Sequence, residues 1–195
     1  MIPVKLFPEP ADFDRNVRQR GLRFLATTPN PSDIEWRKHS YWQDILPDMS
    51  RFYHRICNYC ATWIPPSTGQ HSVDHFLDKK SNPKTAYEWD NYRYVSARLN
   101  SRKGRRKIVD PIGMQPETFI INFTNFYVEI CPTLSDRAII QLAENTIKFL
   151  KLSDDNDLVN ERANYYLYYK RGEISFTFLQ KYAPFIAYEI LRQEF

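Results

Sequence analysis

Between Ser40 and about Ile56 the apolar side chains Trp42, Ile45, Leu46, Met49, Phe52, Tyr53 and Ile56 recur every three or four positions, the repeat of one helix face. Pro47 lies inside the repeat, so this helix is predicted to start near it or to kink there. Its end delivers Cys57 and Cys60. Residues 61–110 have little periodicity; short extended pieces are expected at Gln70–Asp74 and Asn91–Ser96, followed by a basic helix from about Ala97 to near Gly104. Phe119–Phe123 and Phe126–Ile130, rich in aromatic and β-branched residues around Thr124-Asn125, predict a β-hairpin. Ser135 is expected to cap a helix carrying Ile139, Ile140, Leu142, Ala143, Ile147 and Leu150. Further helices are predicted from about Leu158 to Lys170, ended by Gly172, and from Phe185 to Arg192 with Pro184 as first residue. Residues 1–33, punctuated by proline, are expected to be a loosely structured arm.

Composition narrows the class without naming it. The 195 residues, 43% hydrophobic and 15% aromatic, are enough for one domain with a real core and exclude a disordered chain. No apolar run approaches the roughly 18 residues needed to span a bilayer, and the first fifteen residues have no apolar stretch before a cleavage site. A cytoplasmic protein without a membrane partner is therefore expected, and the glycosylation triplet Asn122-Phe-Thr124 is read as chance. The net charge of +4 permits an anionic partner without demanding one.

Two apparent motifs fail on their chemistry. Asp154-Asp-Asn-Asp157 begins like a calcium loop, but Val159 and Tyr165 stand where such a loop needs Gly and Glu. Tyr165, Tyr166, Tyr168 and Tyr169 have faces that can stack on bases, yet tyrosines spread around one helix are read as packing.

The informative segment is Cys57 to Gly104, with CNYC, SVDHFLDKK and YEWDNYRYVSARLNSRKG in order. Asp74-His75 is followed by Asn91 sixteen residues after the histidine, then by Asn100 and Lys103-Gly104. This order, preceded by a Cys-x-x-Cys, resembles the HNH endonuclease motif of the ββα-metal superfamily. VDHF before a lysine-rich loop, Ala86-Tyr-Glu-Trp-Asp-Asn91, Asn100-Ser-Arg-Lys-Gly104 and Asp110-Pro111 look most like the HNH nucleases of Septu-type anti-phage defence. The likeness covers about residues 42–111.

The resemblance implies an α+β fold, a ββα-metal HNH core in a mostly helical domain with a small β-hairpin. Residues 1–40 form the arm and 41–195 the nuclease domain, with its core at about 57–111 and a helical C-terminal part. It implies His75 as general base, Asn91 as the residue fixing its loop, and Asp74 and Asn100 as ligands of Mg²⁺ or Mn²⁺. It also implies DNA as substrate and an ATPase as partner. Many HNH proteins carry a second Cys-x-x-Cys and a structural zinc; here Ser96 and Leu99 hold those places. Cys57 and Cys60 are left as a possible vestige of that site, and no structural zinc is expected. His54 and His71 are the alternative ligands, with Cys131 remote and buried.

Charge gives separate support. Arg93, Arg98, Arg102, Lys103, Arg105, Arg106 and Lys107 fall in fifteen residues without an acid, a candidate track for backbone phosphates and hence for sequence-independent binding. The rival from another class is a catalytically idle nucleic-acid-binding or scaffolding subunit of a defence complex. A zinc-ribbon module is disfavoured by the missing second cysteine pair.

Overall fold

The structure is a computed structural model that describes residues 1–194, the last of them by its backbone alone. It is an α+β chain in which two small antiparallel sheets of two strands each are set among helices. Strand β1 (His71–His75) pairs with β2 (Tyr92–Ser96), with His71 opposite Ser96 and His75 opposite Tyr92. The helix that follows β2 directly, here α4 (Ala97–Lys103), packs back onto both strands. Ser96 caps it by accepting from the Leu99 N–H. Gly104 ends it at φ +51°, a conformation that side chains with a Cβ avoid.

Residues 1–40 are not the loose arm that their prolines suggest. A helical segment, Asp14–Arg18, runs into α1 (Gln19–Thr27), and α2 (Asp33–Lys38) follows behind a Ser32/Glu35 capping box. Phe13, Val17, Phe24 and Trp36 are buried in the common core. Gly21 sits so close to the Tyr87 ring that a Cβ would lie 2.0 Å from its Cγ. The arm is further tied down by Val4 N–H to the Pro111 carbonyl (2.8 Å) and by Trp89 Nε1–H to the Phe7 carbonyl (2.7 Å). Sequence periodicity missed these helices because each is short and shows only one or two core residues.

The helix predicted from Ser40 is divided. A 3₁₀ turn at Tyr41–Ile45 leads into α3 (Leu46–Phe52), with Pro47 in its first turn, where its missing N–H costs nothing. It stops before Ile56 because His54 and Arg55 both adopt positive φ and turn the chain toward Cys57. The second hairpin is β3 (Phe119–Asn122) with β4 (Tyr127–Ile130). Helix α5 (Arg137–Leu150) is capped by Asp136 rather than Ser135, its carboxylate accepting from the Ala138 and Ile139 N–H groups. Helices α6 (Asn156–Lys170) and α8 (Pro184–Glu194) lie where expected, and between them is an unanticipated short helix, α7 (Phe176–Tyr182), capped by Ser175. Among the described residues no helix is long and apolar enough to cross a membrane.

Candidate active site

Strand alternation sorts the motif residues. Ser72 and Asp74 meet α4, where Asn100 donates to Ser72 Oγ (3.0 Å) and to the Val73 carbonyl (3.3 Å), and Lys103 reaches Asp74. His71 and His75 point to the other side, His71 against the Tyr94 hydroxyl (2.7 Å) and His75 among rings. Along the edge of β1 that does not pair with β2 lies a cavity of about 730 Å³. Its lining includes Trp42, Asp74, His75, Lys79, Lys80 and Asn100. The structure thus brings Asp74, His75 and Asn100 to one cavity.

His75 is nearly enclosed, with 7% of its surface exposed. The Trp42 and Tyr92 rings stand nearly perpendicular to it at centroid distances of 4.6 and 5.3 Å. Its Nε2 lies 2.9 Å from the Ala86 carbonyl oxygen, which can only accept, so Nε2 carries the proton. In a neutral ring that leaves the lone pair on Nδ1, which has no hydrogen-bond partner among the described residues. Burial drives the His75 pKa down to about 3, helped by the charge of Lys79, so the imidazole is neutral at physiological pH.

Asp74 is also buried, and its carboxylate is held from behind. The Tyr59 hydroxyl donates to Oδ2 at 2.5 Å, and Lys103 Nζ lies 2.9 Å from Oδ2 and 3.2 Å from Oδ1. Burial raises its pKa; the opposing pull of Lys103, Tyr59 and Arg93 does not fully offset it. Lys103 also donates to the His75 carbonyl (2.9 Å) and is 1% exposed.

For a divalent cation the donors fit in kind. Three of the roughly four lone-pair positions of a carboxylate are used in Asp74, and the amide oxygen of Asn100 has no partner among the described residues. Two hard oxygen donors suit a cation that keeps several waters. No group of three or more His, Cys, Asp or Glu side chains that could hold an ion is found among the described residues.

Asn91 acts on the loop and not on His75. Its Oδ1 accepts from the Leu77 N–H (2.7 Å), and its Nδ2 donates to the carbonyls of Leu77 (3.1 Å) and Thr85 (3.0 Å). This cross-brace closes the loop that brings Asp78, Lys79 and Lys80 to the cavity. Asn91 is thus a positioning residue, bonded to the loop after His75 and not to the imidazole among the described residues.

Four of the seven basic residues form ion pairs of 3.0 Å or less with carboxylates. Arg93 is buried and makes a two-pronged pair with Asp110, at 2.7 and 2.5 Å. Arg98 pairs with Asp155 (2.6 Å) and Asp157 (3.0 Å), Arg102 pairs with Asp155 (2.6 Å), and Lys103 is taken by Asp74. Arg105, Arg106 and Lys107 remain exposed beyond α4, with Arg105 also on the cavity wall, 3.8 Å from Asp78. The alternation that turns a basic helix in part toward its neighbours is invisible in a charge count.

Cys57 and Cys60 do not meet His54 or His71 in any cation-binding group among the described residues. Burial pushes the Cys57 thiol up, but hydrogen bonds from Cys60 and from the N–H groups of Ser96, Cys60 and Tyr59 outweigh it and hold Cys57 at about 7. Sequence reasoning missed Trp42, Lys79 and Lys80 as parts of the cavity, and the Tyr59 hydroxyl and Ala86 carbonyl as the groups that hold Asp74 and His75. Only the lysines left a signal, following the Asp-His pair within five residues. No protein-family model and no curated protein matches the chain.

Proposed function

We propose that this chain is a divalent-cation-dependent HNH endonuclease with a ββα-metal core, hydrolysing phosphodiester bonds in DNA. The observation that carries the reading is the state of His75: a neutral imidazole whose Nε2–H is held by the Ala86 carbonyl has an unpartnered Nδ1, and this residue lines one cavity with Asp74 and Asn100. Such a nitrogen can take a proton from water attacking phosphorus. Its free-state basicity is low because it is buried, and an anionic phosphodiester entering the cavity raises it by favouring the charged ring. Asp74 and Asn100 are the residues to hold Mg²⁺ or Mn²⁺, which when bound neutralises charge on the scissile phosphate and its leaving oxygen. Lys79, Lys80 and Arg105 supply positive charge on the cavity wall for the flanking phosphates.

The likeness to Septu-type nucleases adds a setting, anti-phage defence with an ATPase partner. Plasmid nicking tests the activity. His75→Ala should lower cleavage by about 10² to 10⁴, and EDTA should stop it until Mg²⁺ or Mn²⁺ is restored. The Ala86 carbonyl keeps the Tyr92 hydroxyl (2.8 Å) as a donor in that variant, so the loop is not left unpaired. Wild-type nicking by His75→Ala, or full activity in EDTA, would overturn the reading and leave the idle binding subunit.

A further inference from the structure

We propose that the buried ammonium of Lys103 makes cation binding at Asp74 conditional on a bound phosphodiester, so that ion and strand enter the cavity together. The inference rests on Asp74 being a ligand of the cation, as in the function proposed above.

Lys103 is placed to do this. Its ammonium straddles both oxygens of Asp74 and takes the His75 carbonyl as a third acceptor, so the three donors of a lysine are all used. It lies behind the carboxylate and does not line the cavity, whereas Gly104 and Arg105, next in sequence, do. An ion arriving from the cavity therefore meets a carboxylate whose charge is already balanced. The charged side chains that do line the wall act in the same direction: Lys79, Lys80 and Arg105 outnumber Asp74 and Asp78, with Lys80 paired to Asp33 outside the cavity and Arg105 at 3.8 Å from Asp78. A divalent cation alone enters a region of net positive charge. A phosphodiester brings the missing negative charge and offers its oxygens as further ligands. Each ligand removes the obstacle to the other, and by linkage the factor is the same in both directions.

Mn²⁺ binding by the full chain, read from the electron paramagnetic resonance of the free ion, tests this without relying on turnover. The measurement uses His75→Ala, so that DNA is not cut, with and without a short duplex, and subtracts Mn²⁺ bound by the duplex alone. With Lys103 present, DNA should tighten Mn²⁺ binding at least tenfold, and Mn²⁺ should tighten DNA binding, followed by fluorescence anisotropy, by a similar factor. Adding Lys103→Met should tighten Mn²⁺ binding at least tenfold without DNA and reduce the effect of DNA below threefold, while Lys103→Arg keeps the coupling. Equal Mn²⁺ affinity with and without DNA in the Lys103 form overturns the inference but leaves the cation site standing. Undiminished coupling in Lys103→Met overturns it too. No Mn²⁺ binding under any condition removes the cation site itself and this inference with it. Should circular dichroism show Lys103→Met unfolded, the coupling in the Lys103 and Lys103→Arg forms decides.

Discussion

Lowering the pH from 8 to 5 should destabilise this protein through His75. In the unfolded chain a histidine titrates near ~6.5, whereas burial holds His75 at about 3 in the folded protein. Below pH 6.5 the unfolded chain takes up a proton that the folded chain refuses. The stabilising contribution is therefore complete above pH 6.5 and is lost progressively as the pH falls toward 3. At pH 5 the unfolded state has gained about 1.5 pH units of proton binding at roughly 1.36 kcal/mol each, a loss of about 2 kcal/mol. The pKa of His71 is also lowered, by burial and by Arg55, and adds a loss of the same sign, so the wild-type loss alone is not specific. The specific quantity is the difference from His75→Gln, measured by urea unfolding at pH 8.0 and 5.0. Wild type should lose about 2 kcal/mol more than the variant over that interval. Equal losses would mean that His75 takes a proton near its ordinary pH in the folded chain, and the neutral Nε2–H ring would be wrong.

Replacing Arg105, Arg106 and Lys107 with Gln should weaken DNA binding to all sequences alike and flatten the log–log salt dependence by about 0.9 for each phosphate no longer neutralised; an unchanged slope in filter binding would place the strand elsewhere. Arg93→Gln should instead cost about 3 kcal/mol in urea unfolding, because it leaves Asp110 without its buried partner; a stable variant with weakened DNA binding would return Arg93 to the track. Gly21→Ala should cost about 1 to 3 kcal/mol by forcing the Tyr87 ring aside, and an unchanged melting temperature would mean that residues 1–40 do not dock as described.

What the sequence made legible was local. Pro47, Gly104 and Pro184 each mark a helix boundary through their own φ preference, and the structure puts boundaries at or beside all three. The two extended pieces at 70–74 and 91–96 became β1 and β2 with one-residue shifts. The partners of charged side chains were not legible, since they lie far away in sequence. Lys103 finds Asp74 across 29 residues and Arg102 finds Asp155 in another helical region, so a count of basic residues overstated the free charge. The same limit hid Tyr59, which inside a Cys-x-x-Cys looks like a spacer until its hydroxyl is seen on Asp74.

That tyrosine bears on how the core is fastened with only one cysteine pair. The outer edge of β2, away from β1, is covered by the Cys57–Cys60 turn. Asn58 N–H donates to the Tyr94 carbonyl, the Tyr94 N–H donates to Asn58 Oδ1, both at 2.8 Å, and the Ser96 N–H reaches Cys57 Sγ at 3.3 Å. Ser96, standing where the second pair would begin, thus meets Cys57 through its backbone. The turn fastens β2 by hydrogen bonds and Asp74 by Tyr59, and neither attachment needs a metal. Asn58→Ala should then cost about 1 to 3 kcal/mol, because it leaves the buried Tyr94 N–H unpaired. Cys60→Ala should cost less, since Cys60 is half-buried and makes none of the bonds to β2. Thermal melting with and without a strong zinc chelator completes the test. A large chelator-induced fall in melting temperature, matched by Cys60→Ala, would show that a metal rather than Asn58 holds the turn.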